Sequence, residues 1–215
     1  MGLIPEEQKQ HLKAEFNEKL TNKVKLVMFT QENECPLCKE TRELVEELGG
    51  LSDKIEVSVY DFGKDTEQAA VFGIDKVPAI VVWGEKDYGI RYYGLPFGYE
   101  FQTLFESLVN VSRRDSGLSE DTKAKIKAVD KPVHIQVFVT LTCPYCPIIA
   151  SLAHRFAMES DLITAEVVDA NEFPQVATRF NVFGVPKTVI NEKVEFISVV
   201  AENVFIEHIL AALKT

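Results

Sequence analysis

Two Cys-x-x-Cys pairs, Cys35/Cys38 and Cys143/Cys146, account for all four cysteines of this 215-residue chain. Each pair follows a run apolar enough to be a buried strand, residues 24–29 in one half and 133–138 in the other. One offset of 108 residues carries Cys35 onto Cys143, Asp61 onto Asp169, Phe72 onto Phe180, and Val77-Pro78 onto Val185-Pro186. Matched spacing of so many landmarks marks an internal repeat. It constrains the fold more than composition does, because whatever one half becomes, the other becomes too.

The order of elements is the same in both halves. An amphipathic helix comes first, with Leu12, Phe16 and Leu20 at four-residue steps; its counterpart spans roughly residues 119–129, with Ser119 as N-cap. A strand, the cysteine pair and a helix running to about Gly49 or Ser160 follow. Then come a second strand (55–61; 163–169), a short polar helix, a third strand opened by Val-Pro (79–83; 187–191), and a closing helix. The closing helices carry Leu104, Phe105 and Leu108 in one half and Phe205, Ile209 and Leu213 in the other. Strand–helix–strand order implies a parallel pair with a right-handed crossover. The expected class is therefore α/β, two tandem units each with a mixed β-sheet flanked by helices. A polar break at residues 112–117 places the boundary near Gly117, giving units 1–117 and 118–215.

The cysteine spacing carries the chemistry. A thiolate is the nucleophile in disulfide exchange, and a helix N-terminus stabilises that anion. Pro36 and Pro144 directly follow the first cysteines, where a helix-opening proline is expected. The first cysteine of each pair attacks a substrate disulfide, and the second resolves the mixed disulfide. Val77-Pro78 and Val185-Pro186 are expected as cis peptides beside the cysteines, leaving the valine backbones free to bind an extended substrate. A four-thiolate zinc site is the main rival. It fits poorly with prolines opening long helices and with a gap of about 104 residues between the pairs. A second rival keeps the fold as a chaperone-like peptide-binding module, using the aromatic stretch Tyr88, Tyr92, Tyr93, Phe97 and Tyr99; core packing plus an edge hairpin explains that stretch better.

Composition narrows the partners. A net charge of -10 argues against binding a phosphate backbone, so no nucleic acid partner is expected. No apolar run approaches the ~20 residues of a membrane span, and the opening residues turn charged too soon for a secretory signal, so no membrane partner and a cytoplasmic location are expected. No Gly-rich phosphate loop occurs, and His11, His134, His154 and His208 lack metal-ligand spacing, so neither cofactor nor metal is expected.

Strand, Cys-Pro-x-Cys, helix and a later Val-Pro resemble the thioredoxin and glutaredoxin fold. Cys143-Pro144-Tyr145-Cys146 is of the glutaredoxin type. With two such units, Cys146-Pro147, and the stretch Gly94-Leu95-Pro96-Phe97-Gly98-Tyr99-Glu100-Phe101, the chain is similar to the tandem protein disulfide oxidoreductases of thermophilic archaea and bacteria. That resemblance implies exchange with protein disulfide and dithiol substrates, disulfide shuffling, and electrons drawn from a thioredoxin-reductase-type flavoenzyme. Glu32 and Thr140 stand where glutaredoxins carry a basic residue, and Lys76 and Gly184 where they carry Thr or Ser, which argues against glutathione as substrate. Thioredoxin's buried strand aspartate has no counterpart, and the sequence names no proton acceptor for the resolving cysteines. Glu32 and Glu34 precede Cys35, whereas Thr140 and Thr142 precede Cys143; Cys143 is therefore expected to be the more acidic thiol and the more oxidising site.

Overall fold

The computed structural model describes residues 2–214. The chain runs α1 (Glu6–Lys19), β1 (Val24–Thr30), α2 (Cys38–Gly49), β2 (Ile55–Asp61), α3 (Thr66–Phe72), β3 (Ala79–Trp83) and β4 (Asp87–Tyr93). A 3-10 turn (Gly98–Glu100) leads into α4 (Phe101–Arg113). The second half repeats the pattern with α5 (Glu120–Ile126), β5 (Val133–Val139), α6 (Cys146–Met158), β6 (Ile163–Asp169), α7 (Pro174–Arg179), β7 (Lys187–Ile190), β8 (Val194–Ile197) and α8 (Glu202–Lys214).

Each half forms a four-stranded mixed arrangement with one parallel and two antiparallel pairings, β2-β1-β3-β4 and β6-β5-β7-β8. The two are not separate sheets. β4 and β6 pair in parallel, Ile90 opposite Ala165 through Tyr93 opposite Val168, and the order β2-β1-β3-β4-β6-β5-β7-β8 is continuous. The edge position expected for the aromatic hairpin is thus corrected, since β4 lies inside the sheet. Its side chains fit that place: Tyr88, Ile90 and Tyr92 are buried on one face and Tyr93 on the other. A strand buried on both faces has little to gain from an edge.

Two-residue alternation feeds two cores. Leu26, Met28, Ile80, Ile135, Val137 and Val167 point to the face covered by the long helices, where Phe16, Leu44, Leu104, Phe156 and Phe205 meet them. Phe29, Val81, Tyr93, Phe138 and Val168 point to the opposite face, packed by the shorter α3 and α7 regions through Ala69, Phe72, Phe173 and Phe180. Ser119 caps α5, accepting from the Thr122 N–H at 3.3 Å. Ser112 and Arg113, expected in the polar break, instead form the last turn of α4. Ser112 is buried because its hydroxyl accepts from the Thr21 and Asn22 N–H groups and donates to the Asn22 carbonyl.

Candidate active site

Both cysteine pairs sit where a central strand hands over to a helix. β1 ends at Thr30 before α2 begins at Cys38, and β5 ends at Val139 before α6 begins at Cys146. Each pair forms a disulfide, Cys35–Cys38 and Cys143–Cys146, with Cα atoms 5.4 and 5.5 Å apart. The members of a pair are unequal. Cys38 is 2% exposed and Cys146 0%, whereas Cys143 is 9% exposed and Cys35 more so. In each pair the first cysteine is the less buried of the two. This is the geometry of an attacking and a resolving thiol.

The first cysteines precede the helices rather than opening them. The Thr41 N–H bonds the Leu37 carbonyl, so Leu37 caps α2 and Pro36 lies in the turn before it. At the second site the cap is Tyr145, and the proline of the first helical turn is Pro147, not Pro144. The expectation that Pro36 and Pro144 occupy the first helical position is corrected. One turn of chain is spent bringing the two sulfurs together before the α-pattern starts. Pro147 removes only an N–H that has no intrahelical acceptor, and α6 continues to Met158.

Hydrogen bonds to sulfur distinguish the sites. The Cys146 N–H donates to the Cys143 Sγ at 3.1 Å, so a helix-terminal dipole points at the more accessible sulfur of that pair. At the first site it is the buried Cys38 Sγ that accepts, from the Gln31 N–H at 3.4 Å. The surroundings differ as well. Glu32, Lys39, Arg42, Asp61 and Asp65 line a hollow of about 470 Å³ beside Cys35. Around the second site, Tyr145, Ile148 and Phe183 are exposed, and Phe183, Gly184 and Val185 line a hollow of about 410 Å³.

Val77–Pro78 and Val185–Pro186 are both cis. Phe29 pairs with Ala79 and Phe138 with Lys187, so each proline stands one step beyond the ladder, at the sheet end from which the cysteine loop departs.

A buried carboxyl that the repeat pattern did not single out lies in the turn that touches the loop before Cys143. Glu100 is 0% exposed and ends the 3-10 turn, which packs on α6. The Tyr99 N–H of that turn bonds the Leu141 carbonyl at 3.2 Å, two residues before Cys143. At Gly98, φ is +60° and an added Cβ would come within 2.7 Å of the Leu141 oxygen, so the close approach requires glycine. Thr103 Oγ1 donates to Glu100 Oε2 at 3.0 Å, and Oε1 has no hydrogen-bond partner among the described residues. Burial pushes the Glu100 carboxyl up to about 8; the Thr103 hydrogen bond opposes this and the charge of Asp169 adds to it. The acid therefore holds its proton at neutral pH. The signal lay in the helical spacing: Glu100 shares the buried stripe of Leu104, Leu108 and Val111.

His154 is structural. Its Nδ1 pairs with the Ser107 hydroxyl at 2.8 Å and its Nε2 with the Arg91 carbonyl at 3.2 Å, joining α6 to α4 and β4. Burial drives its pKa down to about 4, so it is neutral. Among the described residues no group of His, Cys, Asp and Glu is placed to hold a metal, and no helix is long and apolar enough to cross a membrane.

A thioredoxin domain family profile matches residues 133–211. Curated relatives include an NADH dehydrogenase of Bacillus subtilis (strain 168), 25% identical over 77% of this chain and 30% of that protein. Another is the alkyl hydroperoxide reductase AhpF of Escherichia coli (strain K12), 26% identical over 86% of this chain and 33% of that protein. The chain spans about a third of the length of these relatives. A protein disulfide oxidoreductase from Aeropyrum pernix K1 superposes with a TM-score of 0.92 at 29% identity, covering 98% of this chain and 94% of that one. The alkylhydroperoxide reductase AhpF of Enterococcus faecalis (V583), as its C503A mutant, gives a TM-score of 0.88 at 27% identity, covering 96% and 99%.

Proposed function

We propose that this protein, two thioredoxin folds fused through one sheet with a Cys-x-x-Cys disulfide at the head of each, is a dithiol–disulfide oxidoreductase acting on polypeptide disulfides and dithiols. The reading rests chiefly on one observation. In both halves an accessible and a buried sulfur are linked at a helix start, at the sheet end that carries a cis Val–Pro.

In the reduced protein, the Cys143 thiolate attacks a substrate disulfide, expelling one substrate thiolate and forming a mixed disulfide. The Cys146 thiol yields its proton to the first substrate thiolate and attacks the Cys143 sulfur. The bond between Cys143 and substrate breaks, the second substrate thiolate leaves, and the Cys143–Cys146 disulfide forms. Two electrons have moved from the protein pair to the substrate pair. Against a dithiol the steps run in reverse: the protein disulfide is reduced as the dithiol is oxidised. Cys35 and Cys38 act in the same attacking and resolving roles, with the carbonyl and N–H of Val77 and Val185 binding the substrate backbone beside Pro78 and Pro186.

Residues 1–117 and 118–215 serve as the two redox units. Electrons come from a separate thioredoxin-reductase-type flavoenzyme, a source in keeping with relatives named as an NADH dehydrogenase and a component of alkyl hydroperoxide reductase. The protein works in the cytoplasm. Insulin reduction by dithiothreitol tests the reading: the native chain should accelerate it, Cys35→Ser and Cys143→Ser should each remove part of the acceleration, and the double variant should remove all of it. Undiminished activity in the double variant would refute it.

A further inference from the structure

The two cis-proline loops are built alike and finished differently. Phe183 and Gly184 precede the cis Val185–Pro186 bond, and the 108-residue offset matches them to Asp75 and Lys76 before Val77–Pro78. In the first half Lys76 closes over its surroundings. Its Nζ lies 2.6 Å from Asp75 Oδ1, 3.9 Å from Glu166 Oε2 of the second half, and 3.7 Å from the centre of the Tyr93 ring, which is fully buried. Tyr93 stands opposite Ala79 just as Ile197 stands opposite Lys187, so Ile197 is the counterpart of Tyr93. Around Ile197 the same place is open. Gly184 stands where the first half has its lysine, a Cβ there would meet Ile197 Cγ2 at 3.7 Å, and Ile197 is 55% exposed. Phe183, next to Gly184, is 91% exposed. Phe183 also borders the hollow of about 410 Å³ lined by Thr140 and Val185, and the Thr140 carbonyl accepts the Cys143 N–H at 3.1 Å. Among the described residues, those lining this hollow carry no charge, whereas Glu32, Lys39, Arg42, Asp61 and Asp65 line the one beside Cys35.

We infer that Phe183 and Ile197 are specificity-determining residues of the Cys143 site, which receive an aromatic or branched aliphatic side chain next to the cysteine of a polypeptide substrate. The inference rests on the dithiol–disulfide reading and names the substrate class of one of its two sites. Large apolar side chains left in water gain free energy only when something apolar covers them. Their place says what does. They flank the loop whose Val185 backbone binds the substrate main chain, and the surface runs on through Thr140 to the Cys143 loop. A segment bound there in extended form turns alternate side chains to the same side, so a residue near its cysteine meets the patch. The uncharged hollow lets that segment dock without stripping water from ions. The Cys35 site has no such surface, because the matching residues join the two halves: Tyr93 pairs with Val168 and Lys76 reaches Glu166.

The test uses the full-length chain in two forms, one with Cys35→Ser and Cys38→Ser, the other with Cys143→Ser and Cys146→Ser. Each is reduced and mixed with short peptides whose cysteine carries a nitrothiobenzoate disulfide, alike except that phenylalanine or serine flanks the cysteine. Attack on the peptide sulfur forms the protein–peptide disulfide and expels the coloured thiolate, whose release gives the rate. The form keeping Cys143 should react roughly tenfold faster with the phenylalanine peptide, and the form keeping Cys35 should treat the two within about twofold. In the Cys143 form, Phe183→Ser and Gly184→Lys should each bring the ratio below about threefold. Gly184→Lys copies the first half, and its Cβ meets Ile197 only at an ordinary contact distance of 3.7 Å. General damage to the fold would slow both peptides together and keep the ratio. A ratio that neither variant lowers, or an equal preference in the Cys35 form, would overturn the inference. So would an intact ratio in Phe183→Ser with loss of a dimer in sedimentation, which would assign the patch to a second copy of the chain. Thiolate release from the serine peptide keeps the redox reading standing in each of these cases, and release from neither peptide would remove that reading as well.

Discussion

At the residue scale, the contrast between the two accessible sulfurs is local and electrostatic. The Cys143 sulfur already receives the Cys146 N–H at 3.1 Å, whereas Cys35 follows Glu32 and the positive-φ Glu34. An N–H dipole favours a thiolate and carboxylates oppose one. After full reduction, iodoacetamide at pH 6 should alkylate Cys143 at least several-fold faster than Cys35, as read by peptide mass analysis of timed samples. Equal rates would mean that the sulfur-directed N–H and the carboxylates do not set the ranking. The two cysteine pairs were legible because their spacing is periodic and repeated. Glu100 was harder to recognise: an acid on an apolar stripe is an ambiguous sign, and its contact with α6 depends on a turn made more than forty residues before Cys143.

At the element scale, the connector between the halves is held by one side chain. Arg155 of α6 donates through Nε to the Ser116 carbonyl at 2.5 Å and through a terminal nitrogen to the Gly117 carbonyl, and its guanidinium faces Glu202 at 3.7 Å. Glu202 in turn accepts from the Ser119 hydroxyl at 2.6 Å. Arg155→Ala should release residues 115–119 and weaken α5 together, costing about 1–2 kcal/mol because charged hydrogen bonds to the Ser116 and Gly117 carbonyls are lost. Hydrogen exchange would show it as faster exchange at the α5 N-terminus with the β5 amides unchanged. Helices, strands and their order could be read from periodicity, but the pairing of β4 with β6 could not. Parallel strands from different repeats share no turn, and only the two-faced burial of Ile90, Tyr92 and Tyr93 hints at the neighbour.

At the scale of the whole molecule, one sheet through both halves implies one cooperative unit. Urea unfolding followed by fluorescence of Trp83, the lone tryptophan and in β3, should coincide with unfolding followed by far-ultraviolet circular dichroism. Separated midpoints would show the halves unfolding independently. The pH dependence has a definite sign. Glu100 and Glu172 keep protons in the folded chain, up to about 8 and 7, that the unfolded chain gives up near 4.5. Their contribution is complete below about pH 4.5 and is lost as pH rises from there through about 7 and 8. His154 acts oppositely, costing stability as pH falls from 6.5 toward 4. Stability from these groups should therefore peak in acid, at about pH 4–5, and Glu100→Gln should lose on the order of 3 kcal/mol less than the native chain between pH 5.5 and 8.5.

The β4–β6 junction also bears on how the protein behaves in a crowded solution. Two separate four-stranded sheets would expose four rims of unpaired amides and carbonyls, each a template for a stray strand. Joining them leaves two, β2 and β8. The β2 rim carries Glu56 with Lys23 bound to it, and β8 is four residues long with Glu195 paired to Lys187. The joined sheet thus presents few places for a stray strand to adhere.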